Sequence, residues 1–321
     1  MPVTSNVDDD HVARDEQGVT PDAEADSDRR SESDSGPDEP ALPINELFAS
    51  LQGEGTLAGQ PSTFVRTSGC NLRCWFCDSY HTSWEPTGAW MLLDDVIGSV
   101  TDRDPDHVVL TGGEPLVHDE AVDLLHELDE RGYHLTVETN GTIVPPADTP
   151  IDLASVSPKL ASSTSSPERP PAGVELAEDA DAPDADGPEV DGVDDAEIER
   201  WAETHEADRL DLDALATLVA RYETQLKFVV TGPDDVPEIN DLVADVRDRL
   251  DATDFVDDPA VDAPISASER LPDDQVLLMP EGQTRDRLEE TRRVVADIAL
   301  EQGYRYTPRL HVDLWNDAPE T

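Results

Sequence analysis

The stretch "SGCNLRCWFCDSYHTSW", Ser68 to Trp84, holds Cys70, Cys74 and Cys77, the three cysteines of a 321-residue chain. The β-rich run "TFVRTSG" (63–69) leads into it, so the thiols sit in the loop at a strand's C-terminal end. Three is an odd number for disulfides, and clustered thiols in a reduced compartment more often bind metal. Two metals suit them. A structural zinc takes four ligands, and His81 would complete a Cys3His set. An iron–sulfur cluster normally takes four thiolates, and three would leave one iron open to a non-protein ligand. Spacing alone leaves both open.

Outward from this loop the chain alternates. Further β-rich runs stand at "HVVLTGG" (107–113), "YHLTVETNG" (133–141), "IDLASVSP" (151–158), "QLKFVVTG" (225–232) and "QVLLMPEG" (275–282). Between several of them lie amphipathic helical patterns. Ala121, Leu124, Leu125 and Leu128 share one face, with Gly132 placed to cap. Ile239, Leu242, Val243, Val246 and Leu250 repeat the pattern, as do Leu288, Val295 and Ile298. Strand–helix–strand alternation implies parallel strands with right-handed crossovers. Six strands are too few for a full eight-stranded barrel, so the expected fold class is α/β, a partial (βα)6 TIM-like barrel. Chemistry in such folds gathers at the C-terminal strand ends. Here those ends read "TSGC", "TGGEP", "ETNG", "SPK" and "MPEG".

The formal charge is −52, from 74 acids against 22 bases, and only Lys159 and Lys227 are lysines. Acid-rich, lysine-poor chains fit a cytoplasm at molar salt, where self-repulsion is screened, so a halophilic source is expected. The same charge argues against a direct grip on nucleic acid, which needs clustered Lys and Arg. There is no basic-then-apolar leader, and no apolar run approaches the ~18 residues of a membrane span, so a cytoplasmic protein is expected. Residues 1–40 carry thirteen acids and almost no large apolar side chain, and are expected to be a disordered tail. Residues 41–321 form one domain with an acidic insertion at about 162–207. Glu175 to Arg200 alone holds twelve acids and one base, and reads as a solvated surface segment.

Cys-x3-Cys-x2-Cys after a first barrel strand, with Phe76 just before the last cysteine and "TGGEP" (Thr111 to Pro115) ending the next strand, resembles the radical S-adenosylmethionine superfamily. The resemblance narrows with "LFASLQGEGTLAGQPSTFVRTSGCNLRCWFCDS", "VETNGT", "SPK", "LKFVV", "LMPEG" and "RYTPRLHVDLW". In order and spacing these are similar to the 7-carboxy-7-deazaguanine synthase family, over about residues 43–160 and 222–316. The resemblance implies a radical-type partial (βα)6 barrel, a homodimer, and a 4Fe-4S cluster whose open iron is chelated by S-adenosyl-L-methionine. It also implies Mg²⁺ and an electron donor of the ferredoxin or flavodoxin kind. The implied reaction is a carbon–nitrogen lyase step. Hydrogen is taken from C6 of 6-carboxy-5,6,7,8-tetrahydropterin, ammonia leaves, and 7-carboxy-7-deazaguanine forms on the way to archaeosine or queuosine in tRNA. Two rivals stand beside it: an activase of a glycyl-radical enzyme, and a zinc-stabilised interaction module without catalysis.

The resemblance also carries residue roles. Cys70, Cys74 and Cys77 would hold the cluster, and Ser79 would offer a hydroxyl to Mg²⁺. Leu51, Gln52, Gly53, Arg66 and Thr111 would meet the pterin, with the Arg66 guanidinium suited to its carboxylate. Phe76, Asp78, Gly113, Ser157, Pro158 and Lys159 would face S-adenosylmethionine. No side chain is expected to act as the catalytic group, since the radical chemistry rests on cluster and cofactor. Glu138, Asn140, Lys227, Met279 and His311 lie in matching motifs without assigned contacts.

Overall fold

Nine strands form one sheet in the order β3-β1-β2-β4-β5-β6-β7-β8-β9. They are β1 (Ala41–Leu51), β2 (Pro61–Thr67), β3 (Ala89–Leu92), β4 (His107–Gly112), β5 (His134–Thr139), β6 (Leu153–Val156), β7 (Thr224–Val230), β8 (Val276–Pro280) and β9 (Arg305–Tyr306). The helices are α1 (Tyr80–Ser83), α2 (Leu93–Thr101), α3 (Glu120–Asp129), α4 (Asp195–Asp208), α5 (Leu212–Arg221), α6 (Val236–Ala252), α7 (Ala267–Arg270), α8 (Arg285–Gln302) and α9 (Leu310–Trp315). The structure is a computed structural model, and it describes residues 39–83, 87–170, 193–252, 258, 260–261, 266–316 and 318. The tail expected at residues 1–40 lies outside the described residues but for its last two, as does the middle of the acidic insertion.

The six β-rich runs of the sequence are the six strands β2, β4, β5, β6, β7 and β8, all parallel in register. β9 extends them in parallel, whereas β1 pairs antiparallel with both β2 and β3. The two end strands do not pair with each other among the described residues, so the barrel is partial and its sheet open. No described helix is long and apolar enough to cross a membrane.

Alternation along the strands separates a packed outer face from a polar inner one. Outward, Val65, Leu110 and Val137 pack with Ala121, Leu124, Leu125 and Leu128 of α3 and with Val96 and Val100 of α2. A second core joins Leu226, Phe228 and Leu278 to Leu215 and Leu218 of α5, Ile239, Val243 and Val246 of α6, and Val295 and Ile298 of α8. The helical stripes expected from sequence are thus the buried faces. Burying one such Leu or Phe contributes roughly 1.5–3 kcal/mol, so the two cores anchor the helices well beyond their intrinsic propensity. Inward, the register sets Arg66, Thr111, Glu138, Ser155 and Gln225 in one row across five strands.

The acidic insertion differs from its expectation at both ends. Residues 161–170 lie against the cysteine loop, where Thr164 bridges to Cys74. α4 occupies 195–208, its N-cap Asp194 accepting the Glu197 N–H at 2.8 Å. Ile198 and His205 are buried and stand two turns apart on one helix face. Twelve acids between 175 and 200 conceal that stripe from any reading based on composition.

Candidate active site

A cleft of about 490 Å³ opens at the C-terminal strand ends. Its walls include Leu51, Gln52, Gly53, Arg66, Thr111, Phe76, Asp78, Gly113, Ser157, Lys159, Ser79 and the three cysteines. Of the residues singled out by sequence, Pro158 alone is not on the wall. It is buried behind it, turning the chain between Ser157 and Lys159.

The cysteine loop leaves β2 and is pinned at its start. Gly69 N–H donates to Thr82 O at 2.7 Å, Glu114 N–H donates to Gly69 O at 2.8 Å, and His118 Nε2 donates to Ser68 O at 2.7 Å. Gly113 must be glycine here. A Cβ on it would stand 2.2 Å from Gly69 O and 2.7 Å from the Cys70 Cβ, so "TGGEP" lets two strand ends close on one another. Glu114 of the same motif is wholly buried. Its carboxylate accepts from Asn140 N at 2.6 Å and from Thr139 Oγ1 at 2.9 Å, tying the end of β4 to the end of β5.

None of the three thiols is in a disulfide. Burial pushes the Cys70 thiol up to about 12 and raises Cys74 and Cys77 likewise, so a cation is needed to make thiolates of them. Among the described residues no three Cys, His, Asp or Glu side chains converge on one ion position. The His81 ring sits edge-on to Tyr80 at 5.7 Å. Three thiols outside any disulfide on one cleft wall fit a cluster that gives each thiolate its own iron.

The facing wall is charged and buried. Lys227 Nζ lies 2.6 Å from Glu54 Oε2 and 3.8 Å from Glu138 Oε1. Arg309, 4 % exposed, pairs with Glu54 at 3.1 Å and with Asp78, and donates to Gly282 O at 2.8 Å. Burial works to raise the Glu54 carboxyl, but Lys227, Arg309 and His311 outweigh it and hold the group at about 2. Lys227 is disfavoured as a cation by burial, yet Glu54 and Glu138 keep it charged. Glu138 also accepts from Thr111 Oγ1 at 2.8 Å and Gln52 Nε2 at 3.2 Å. His311 packs onto Gly53, where a Cβ would come within 2.0 Å of its Nδ1.

Arg66 forms a 2.8 Å ion pair with Glu46 and donates to Ser79 Oγ at 2.9 Å. The Ser79 hydroxyl in turn donates to Asp78 Oδ1 at 3.2 Å. Across the cleft, Lys159 Nζ donates to Ser157 O at 2.7 Å and Ser157 Oγ at 2.8 Å. Sequence reasoning missed Glu54, Arg309 and Glu114. Glu54 stood in view within "LQGEG", but its partners are 173 and 255 positions away.

Residues 64–154 match the Radical SAM superfamily. A 7-carboxy-7-deazaguanine synthase from Halobacterium salinarum is 56% identical over 287 residues, covering 89% of this chain and 95% of its own length. Another, from Rhodopirellula baltica, is 36% identical over 275 residues, covering 85% of this chain and 86% of its own. The crystal structure of QueE from Escherichia coli aligns over 84% of this chain and 95% of that one, at 21% identity and a TM-score of 0.49.

Proposed function

The chain belongs to the 7-carboxy-7-deazaguanine synthase family of radical SAM enzymes, and from that premise we propose how its cleft divides the work. It is a carbon–nitrogen lyase of 7-deazapurine biosynthesis that converts 6-carboxy-5,6,7,8-tetrahydropterin to 7-carboxy-7-deazaguanine with loss of ammonia. When bound, the cluster together with S-adenosylmethionine supplies abstraction of a hydrogen atom from the pterin. Cys70, Cys74 and Cys77 hold the cluster. Phe76, Asp78, Gly113, Ser157, Pro158 and Lys159 form the cofactor side, with Lys159 steadied by Ser157.

The pterin side is Leu51, Gln52, Gly53, Arg66 and Thr111. The observation that carries this assignment is the inward row Arg66–Thr111–Glu138, a guanidinium beside a hydroxyl and a half-buried carboxylate at the foot of a small-molecule-sized cleft. Glu138, held by Thr111 and Gln52, accepts pterin N–H groups, and Arg66 turns from Glu46 to the substrate carboxylate. Mg²⁺ would be taken by the Ser79 hydroxyl together with substrate oxygens, with the Asp78 carboxylate beside it. The protein works as a cytoplasmic homodimer with a ferredoxin- or flavodoxin-type donor. Its charge of −52 suits a salt-rich cell, in which the product serves archaeosine or queuosine in tRNA. Neither a glycyl-radical activase nor a zinc module is favoured, since the relatives that match this chain over 85% or more of its length are 7-carboxy-7-deazaguanine synthases.

Anaerobic turnover with 6-carboxytetrahydropterin, S-adenosylmethionine and a reductant is expected to yield 7-carboxy-7-deazaguanine. Cofactor cleavage without that product, under saturating pterin and Mg²⁺, would overturn the substrate assignment. Arg66→Ala is expected to lower substrate use roughly ten- to a hundred-fold, the worth of one charge-assisted bidentate contact. Arg66→Lys recovers only part, because a point charge does not fork onto a carboxylate. In both variants the cluster forms and abortive 5′-deoxyadenosine persists. If Arg66→Ala loses cofactor cleavage in step with product while keeping its cluster, Arg66 belongs to the cofactor side instead.

A further inference from the structure

The cysteine loop is gripped from its outer side by the described part of the acidic insertion. Trp75 N–H donates to Ser163 O at 3.1 Å, and Trp75 Nε1 donates to Ser162 O at 2.7 Å. Arg169 lies over the Trp75 ring, 5.5 Å from its centroid. On α4, His205 is 1% exposed, and its Nδ1 lies 3.1 Å from Arg73 N. An amide can only donate, so Nδ1 is the acceptor, and the neutral ring carries its hydrogen on Nε2, which donates to Ser163 Oγ at 2.8 Å. The residue after α4, Arg209, donates to Lys159 O at 2.9 Å and pairs with Glu238 at 2.7 Å. One helix thus touches both the loop around Cys74 and the Ser157–Lys159 turn.

The amides on either side of Cys74, those of Arg73 and Trp75, are therefore both bound away from the sulfurs. Leu72 shows the alternative: its N–H has no such partner and donates to Cys70 Sγ at 3.4 Å. N–H donors to cluster sulfurs stabilise the more anionic, reduced state and so raise its potential. Chemistry that begins by reducing a sulfonium needs the opposite, a low potential. Resting on the radical SAM reading of the preceding section, we infer that His205 is a positioning residue: it accepts the hydrogen bond of the Arg73 amide, fixes the cysteine loop and withholds that donor from the cluster.

The test reconstitutes the full chain anaerobically with iron and sulfide and follows the cluster's midpoint potential by electron paramagnetic resonance, in the parent and in His205→Ala, His205→Asn and His205→Gln. Asn places its Oδ1 where Nδ1 stands and keeps the acceptor for Arg73. Gln reaches the Nε2 position and keeps only the bond to Ser163. His205→Ala and His205→Gln are expected to move the midpoint to less negative values and to lose iron to a chelator about tenfold faster, as loss of an outer-sphere partner typically does. His205→Asn is expected to restore both. An unchanged midpoint in His205→Ala, or Asn and Gln behaving alike, overturns the inference and leaves His205 a packing residue. Where His205→Ala holds no cluster, the Asn and Gln pair still decides. A parent that takes up no cluster at all overturns the radical SAM reading beneath it, a result distinct from parental behaviour in the variants.

Discussion

Cys70→Ala, Cys74→Ala and Cys77→Ala are each expected to abolish the iron–sulfur chromophore and all cleavage of S-adenosylmethionine, while His81→Ala leaves both nearly intact. The three thiols share a cleft wall without disulfides, and no three ligand side chains among the described residues meet at one ion. In a cluster held by three thiolates each serves a different iron, so losing one leaves an iron without its protein ligand. Folding itself should survive, since removing one sulfur costs on the order of 1 kcal/mol. Far-ultraviolet dichroism then separates a lost cluster from a lost fold. Iron and sulfide per chain, the visible spectrum and 5′-deoxyadenosine formation are the measurements. Bound metal that disappears on His81→Ala, with about one zinc per parent chain, would restore the Cys3His alternative.

What sequence could and could not reveal follows range. The cysteines, "TGGEP" and "SPK" are local signals carried at the ends of β-rich runs, so six parallel strands and part of the cleft lining were legible. β1 was not. Its "ALPINELFASL" carries Pro43, Asn45 and Glu46 and bulges between Ile44 and Glu46, which breaks the alternation an apolar-run reading relies on. α4 was hidden by its acids, although Ile198, Trp201 and His205 keep helical spacing. Lys227 did leave a trace: a lysine within the apolar strand "QLKFVV" demands a buried counter-ion. Which carboxylate answers it is decided by a contact across 173 residues, and no local pattern encodes that.

That counter-ion supports the second large effect. Glu54→Gln is expected to destabilise the fold by about 3–5 kcal/mol, because it removes the carboxylate 2.6 Å from the buried Lys227, which keeps Glu138 at 3.8 Å, and one of the two carboxylates that Arg309 pairs with. Lys227 and Arg309 are 6% and 4% exposed, so neither can recover hydration without local unfolding. The surface pair Arg131–Glu127 is the control. Both partners are about 40% exposed or more, and Arg131→Ala should cost no more than ~1 kcal/mol. Adding Lys227→Met to Glu54→Gln should recover part of the loss, since Arg309 keeps Asp78. The pH dependence has a definite sign. Glu54 falls from an ordinary 4.5 to about 2 on folding, so between those values the unfolded chain binds more protons than the folded one. Its stabilisation is complete above about pH 4.5 and is lost as pH falls towards 2. Denaturant titrations at constant high salt, from neutral pH downwards, should show that acid-side loss in the parent and a shallower one in Glu54→Gln. Salt should blunt the Arg131–Glu127 pair far more than this network, because buried charges are screened least. Parental stability in Glu54→Gln, with an unchanged acid limb, would mean that Lys227 and Arg309 find their neutralising partner elsewhere.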